Sequence, residues 1–257
     1  MTQWIRYRAN GKAGFGTLSG DTIAEHAGDM FASPKATGQT LALSGVEVLP
    51  PSQPTKIVAL WNNFRELPAK LKQSIPPEPL YFIKANSSIT SPNTTIKRPK
   101  AYAGKVVYEG ELGIVIGKTC TNASEDEAEK AIFGYTCVND ITAAEVLFKD
   151  ESFAQWTRAK SYDGFGPFGP VIATGLDPAT LSVRLVLNGA ERQNYKVSDM
   201  IFQPRKLVSM LSHDMTLNPG DLICCGTSIG VGTMKEPSNI MDVTIEGIGT
   251  LHNVYEN

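Results

Sequence analysis

Val106-Val107-Tyr108-Glu109-Gly110-Glu111-Leu112-Gly113-Ile114-Val115-Ile116-Gly117 is the stretch from which the rest of the chain can be read. It alternates with period two, which predicts a β-strand. Val106, Tyr108, Leu112, Ile114 and Ile116 fall on one face, fit for a core. Glu109 and Glu111 fall on the other, followed by Gly113 and Val115. Residues two apart on a strand point the same way and stand about 7 Å apart. Two such carboxylates repel, and burial would force one of them to hold a proton. A solvated strand face is one resolution. A hard divalent cation with oxygen ligands is the other.

The chain has 257 residues, 42% hydrophobic and 19% charged, the balance of a soluble globular protein with a sizeable core. A net charge of −2 gives a nucleic-acid partner no electrostatic support. Met1-Thr2-Gln3-Trp4-Ile5-Arg6-Tyr7-Arg8 lacks the apolar core of a signal peptide, and no apolar run reaches membrane-spanning length. No membrane partner is therefore expected. Cys120, Cys137, Cys224 and Cys225 show no Cys-x-x-Cys spacing, and the adjacent pair should point to opposite faces of a strand. They read as reduced, buried residues of a cytoplasmic protein. His26, His213 and His252 are too scattered for a zinc site.

Outward from the central stretch, residues 1–50 read as a small N-terminal β module. Trp4–Tyr7 and Gly14–Leu18 make a hairpin and Leu41–Leu49 a further strand. Pro50-Pro51-Ser52-Gln53-Pro54 is a stiff connection to the main domain, residues 55–257. Lys56–Leu60 is a buried strand and Leu80–Lys84 a second strand, with a helix over Arg65–Gln73 between them, and Pro92–Lys105 is a solvated loop. Lys84 ends its apolar strand either as a snorkelling edge residue or as a charge aimed into a pocket. Ser124-Glu125-Asp126-Glu127 opens a capped helix that should stop at Gly134. Tyr135–Thr142 is the next strand. Its Asp140 either caps a following helix or joins Glu109 and Glu111 as a third ligand.

Thr157–Pro170 is a shaped Gly/Pro loop entered by Lys160. A hairpin turns at Asn188-Gly189, and an amphipathic helix spans Pro204–Leu217. Leu222–Cys225 is a buried strand ending in Gly226-Thr227-Ser228-Ile229-Gly230-Val231-Gly232. The glycines free that backbone to form a nest of N–H groups for a carboxylate or oxyanion. Met241–Ile245 and Gly249–Val254 form a final hairpin.

The order Glu-x-Glu, Asn139-Asp140, Lys160 before Asp163-Gly164-Phe165-Gly166-Pro167, then Gly226-Thr227-Ser228-Ile229-Gly230-Val231-Gly232 resembles the fumarylacetoacetate hydrolase family over residues 55–252. The resemblance implies an α+β, β-rich fold: a roll of mixed sheets with few helices. It implies homodimers that bind Mg²⁺, or Mn²⁺ or Ca²⁺, through Glu109, Glu111 and Asp140. It implies a catalytic or substrate-binding Lys160, a catalytic Asn63, and substrate contacts from Lys84, Ser87, Gly226, Thr227 and Ser228. One departure stands out. Where many hydrolase members carry Gly-Arg-Asn-Tyr followed by a His and a Glu that activate water, this chain has Trp61-Asn62-Asn63-Phe64-Arg65-Glu66-Leu67-Pro68-Ala69-Lys70. Leu67 replaces the His and Lys70 the Glu.

That departure is more similar to the branch that isomerises 2-hydroxyhepta-2,4-diene-1,7-dioate and decarboxylates 5-oxopent-3-ene-1,2,5-tricarboxylate. The expected function is therefore a metal-dependent decarboxylase or isomerase of 2-oxo or 2-hydroxy-dienoic acids in aromatic-compound catabolism. C–C hydrolysis of an acylpyruvate or fumarylpyruvate is the alternative, and an inactive ligand-binding member the second. Decarboxylation and tautomerisation need an enolate stabilised by Lewis-acid action but no attacking water.

Overall fold

The structure, a computed structural model, describes all residues 1–257. β1 (Thr2–Ala9), β2 (Lys12–Ser19), β3 (Thr22–Ala27), β4 (Lys35–Ala42) and β5 (Glu47–Leu49) come first. β6 (Ile57–Trp61), α1 (Glu66–Leu71), β7 (Leu80–Lys84), β8 (Ile89–Thr90) and β9 (Thr95–Lys97) follow. The middle holds β10 (Val106–Tyr108), β11 (Gly110–Ile116), α2 (Glu125–Ala131), β12 (Ile132–Asn139) and β13 (Thr142–Ala143). Then come α3 (Trp156–Lys160), β14 (Gly166–Thr174), β15 (Ser182–Leu187), β16 (Ala190–Lys196) and α4 (Pro204–Asp214). β17 (Leu222–Cys224), β18 (Gly232–Thr233), β19 (Ser238–Ile245) and β20 (Gly249–Glu256) close the chain. No helix is long and apolar enough to cross a membrane.

The strands form three sheets. The largest has the order β4-β3-β2-β1-β14-β12-β11-β17-β6-β7, with β5 on β1 and β8 on β14. A second runs β16-β15-β19-β20-β9, and a third, small one β13-β10-β18. The β15/β19/β20 sheet packs across β11, β12 and β14. One core of 47 buried residues, with Leu112, Ile114, Val183, Leu185 and Val243 among them, lies on that side of the large sheet. A smaller cluster of 10 lies on the other face, around Ala59, Phe82, Val115, Val138, Phe168 and Cys224. Both faces of the sheet centre are thus covered, which is why β11 is buried at every position. The architecture is the β-rich mixed roll with few helices that the resemblance implied. β1 pairs antiparallel with β14 through Thr2↔Thr174, so the N-terminal strands extend the main sheet.

Several local expectations are corrected. The central stretch is two strands: it breaks at Glu109, leaving β10 in the small sheet and β11 in the large one. The predicted helix after Ser124 has its capping box, with Ser124 Oγ accepting from the Glu127 N–H and the Glu127 side chain accepting from Ser124, but it ends at Ala131. Gly134 instead lies inside β12, where a Cβ would meet Ala173 O at 2.4 Å, so it serves a close approach to β14. Leu41–Leu49 is interrupted by a 3₁₀ turn at Leu43–Gly45. The solvated loop contains β9, whose Ile96 is buried and which pairs with β20. The helix expected over Arg65–Gln73 shortens to α1. The Thr157–Pro170 stretch is more regular than expected: it completes α3 and starts the buried strand β14.

Candidate metal and substrate site

The break at Glu109 builds the site. The Glu109 backbone N–H donates to Asn139 Oδ1 at 2.9 Å, and Glu109 O accepts from the Asp140 N–H at 2.8 Å. These bonds clamp the start of β11 to the end of β12. Asp140 follows β12 directly, and Glu111 stands two residues into the ladder, opposite Val138. One carboxylate oxygen from each of Glu109, Glu111 and Asp140 lies within 4.8 Å of the others, and all three residues are buried.

Two lysines meet this cluster. Lys160, the last residue of α3, donates to Glu109 Oε2 at 2.8 Å and Asp140 Oδ2 at 2.6 Å. Lys84, the last residue of β7, donates to Asp140 Oδ1 and to Lys160 O at 2.5 Å each, and to Phe165 O at 3.2 Å. An ammonium has three N–H groups, so those of Lys84 are all matched.

The charges sort themselves by environment. Burial pushes Glu109 upward and Asp140 adds to the push, while Lys160 opposes it. Glu111 is driven well above the ordinary carboxylate range, by burial first and then by Asp140. Burial also acts to raise Asp140, but Lys160 and Lys84 outweigh it and hold Asp140 low. Burial pulls on Lys160 in the opposite sense, yet Asp140, Glu109 and Glu111 keep its ammonium above the usual lysine value.

Glu111 Oε2 accepts the Gly226 N–H at 2.9 Å, whereas Oε1 is buried with no partner. A proton or a cation has to supply what the protein withholds from that oxygen. Three buried carboxylates and no nitrogen or sulfur donor make a hard, oxygen-only set, which fits Mg²⁺, Mn²⁺ or Ca²⁺.

The glycine-rich turn closes one side. Gly226 adopts φ +87°, the left-handed region that glycine enters freely. The N–H groups of Thr227 and Ser228 have no partner within the protein, although both residues are buried. The Thr227 hydroxyl is committed: it donates to Gly110 O at 3.0 Å and accepts from Gln193 Nε2 at 2.8 Å. Asn63 lies under the turn, with Nδ2 on Cys225 O and Oδ1 accepting from Phe202 N–H, each at 2.9 Å. The structure does not bring Ser87 to the cluster; it is exposed, and its neighbour Ser88 is the buried one.

Sequence reasoning gave no role to Asn139, Thr142, Gln193 or Tyr195. Thr142 Oγ1 donates to Glu109 Oε1 at 2.9 Å; Gln193 Oε1 accepts the Gly110 N–H at 2.9 Å; and Tyr195 OH donates to Gly110 O at 2.5 Å. A signal existed for two of these. Gln193 and Tyr195 alternate as the buried positions of β16, so a glutamine at an inward position of a strand marks a polar partner inside. All four cysteines are buried and free, with Cys224 and Cys225 in opposite core clusters, as the strand period predicts.

With a β-rich roll built around a buried carboxylate–lysine cluster, the comparison with known proteins is direct. The chain belongs to the fumarylacetoacetate hydrolase family: residues 56–255 match the fumarylacetoacetate (FAA) hydrolase C-terminal family, and residues 2–51 match one described as Rv2993c-like, N-terminal. Protein Rv2993c of Mycobacterium tuberculosis is 42% identical over 234 residues, 90% of this chain and 85% of its own. Oxaloacetate tautomerase YisK of Bacillus subtilis is 34% identical over 252 residues, 91% of this chain and 83% of its own. The crystal structure of 2-hydroxyhepta-2,4-diene-1,7-dioate isomerase from Mycobacterium marinum superposes with a TM-score of 0.90 at 36% identity, covering 100% of this chain and 98% of that one. The chain is thus a fumarylacetoacetate hydrolase family enzyme.

Proposed function

We propose that the chain is a divalent-metal-dependent lyase or isomerase that decarboxylates or tautomerises 2-oxo or 2-hydroxy-dienoic acids. The observation that carries this reading is the buried Glu109–Lys160–Asp140 pairing beside Glu111, whose Oε1 has no protein partner. Glu109, Glu111 and Asp140 would hold Mg²⁺, with Mn²⁺ or Ca²⁺ as substitutes, and the cation would supply Lewis-acid stabilisation of negative charge on the 2-oxo oxygen.

The chain's own residues do the rest. Lys160 keeps its proton in this setting, so its part is to pair with negative charge on substrate and to fix the oxygens of Glu109 and Asp140. The free N–H groups of Thr227 and Ser228 receive a substrate carboxylate or carbonyl oxygen. Lys84 positions Asp140 and does not touch substrate, and Asn63 braces the turn from below. No histidine serves as a water base. His26 packs on Trp4, His213 is exposed in the last turn of α4, and His252 pairs with Asp242. Decarboxylation and tautomerisation need none. The likeness to a tautomerase and to an isomerase supports the same choice. The reading includes a cytoplasmic homodimer with a small-molecule substrate, its small module divided from the catalytic part at Pro50–Pro54.

One contact favours a second reading, C–C hydrolysis of an acylpyruvate. Glu66, in the first turn of α1, accepts a hydrogen bond from Ser228 Oγ at 3.3 Å, which brings a carboxylate to the glycine-rich turn. Incubating the protein and Mg²⁺ with a panel of 2-oxo acids separates the two. Release of CO₂ or a dienol-to-enone absorbance change supports the first; pyruvate plus a free acid assigns the second. Glu109→Ala and Asp140→Ala should each abolish cation binding and turnover. Full activity of either variant after chelation would overturn the metal reading.

A further inference from the structure

We infer that a shelf of aromatic rings beside Lys160 binds the part of the substrate beyond its 2-oxo acid head and selects an aryl tail; this rests on the function proposed above. The shelf begins on α3. Trp156 and Lys160 are four residues apart, so one helical turn places both on one face. Phe82 of β7 meets both. Its ring stacks on Trp156 at 5.4 Å between centroids with a 19° interplanar angle, and Lys160 Nζ lies 5.6 Å from its centroid. The β6/β7 register sets Ala59 opposite Phe82 and Trp61 opposite Leu80, which makes Trp61 the diagonal neighbour of Phe82. The Trp61 ring lies 5.0 Å from Trp156. Phe148 completes the row, edge-on to Trp156 at 6.2 Å.

The row therefore runs from solvent to the ammonium that holds Glu109 and Asp140. Phe82 is buried, Trp61 and Trp156 are half-buried, and Phe148 is 69% exposed. Phe153, 68% exposed, stands on the same loop, whose base is closed by the Gln155 N–H on Leu147 O at 2.8 Å. Lys160 is the only cation over any of these rings. Flat apolar faces of this kind bind planar unsaturated groups. Continuity with Lys160 ties the shelf to the head-group site.

The test is a tryptophan-fluorescence titration of the whole chain in Mg²⁺ with phenylpyruvate and pyruvate, which share a head and differ in the tail. Trp4, the remaining tryptophan, packs on Phe15, His26 and Phe133 and gives a constant background. Phenylpyruvate should bind about tenfold or more tighter than pyruvate, and Phe148→Ala and Trp61→Leu should each weaken phenylpyruvate about fivefold more than pyruvate. Equal affinity for the two acids, or equal losses in the variants, would overturn the shelf. So would a Phe148→Ala variant that changes oligomeric state while phenylpyruvate affinity stays, which would give the rings to a second copy of the chain. Because binding is read without turnover, selective phenylpyruvate binding supports the shelf even if no 2-oxo acid is converted, and that result would refute the function proposed above instead.

Discussion

Lys84→Met removes a fully buried ammonium while keeping most of the volume of its stem. In the native chain Nζ donates to Asp140 Oδ1, Lys160 O and Phe165 O, so one atom ties β7 to the end of β12, the end of α3 and the following loop. Hydrogen bonds involving a charged group contribute about 1.5–3 kcal/mol each, but the wild type also bears the desolvation of the ammonium, so the three do not simply add. After the substitution, Asp140 keeps one buried lysine of two, and two buried carbonyls lose a donor. Removing one partner of a buried ion pair costs about 3–5 kcal/mol. At roughly 2–4 °C per kcal/mol for a chain of this size, the melting temperature should fall by about 6–20 °C. Thermal and urea unfolding followed by circular dichroism in EDTA reads this directly. A double-mutant cycle with Asp140→Asn separates charge pairing from packing, with an expected coupling of about 1 kcal/mol or more. A variant within about 1 kcal/mol of the wild type, or a cycle that is additive, would refute the view that this pair holds the site together.

Three further outcomes follow from the same geometry. Lys160→Met should lower turnover about a hundredfold or more while the bound divalent cation per chain stays constant; unchanged turnover on a converted 2-oxo acid would remove Lys160 from the mechanism. Ser124→Ala deletes the capping box of α2 and should cost about 1 kcal/mol, measured as a small shift in the urea midpoint, and no shift would show that the cap contributes nothing. Burial and the hydrogen bond to Glu25 push the Tyr7 hydroxyl up to about 12. The folded state therefore holds that proton more tightly than the unfolded chain, so the stabilisation is fully present below about pH 10 and is lost as pH rises toward the folded value. Urea midpoints across that window should fall less steeply for Tyr7→Phe than for the wild type; parallel slopes would contradict the assignment.

Much of the candidate site was legible because its chemistry is local. A period of two places Glu109 and Glu111 near each other whatever the strand pairs with, and an aspartate after an apolar strand asks for a partner. The Ser124–Glu127 cap, the Asn188-Gly189 hairpin turn and the opposed faces of Cys224 and Cys225 belong to the same class, since each depends only on neighbours along the chain. The Glu109 break was not legible. An alternating run gives no sign that β10 and β11 join different sheets, because that choice depends on β13 and β18 on one side and β12 and β17 on the other.

What the sequence alone determined, then, is the inventory: oxygen ligands without a histidine, one lysine ending an apolar strand and another entering a Gly/Pro loop, a glycine-rich turn, and the family order that joins them. What only the tertiary structure decided is how each is used. Lys84 reads from its own strand as an edge residue or a pocket charge, yet its three acceptors come from Asp140, Lys160 and Phe165, all far along the chain. Thr227 looks free to hold substrate until Gly110 and Gln193 engage its hydroxyl and leave the backbone N–H groups as the open donors. The reason is physical. Which polar atoms a side chain carries is written in its covalent structure, but whether they are spent or free depends on desolvation and on partners that only packing brings within hydrogen-bond reach.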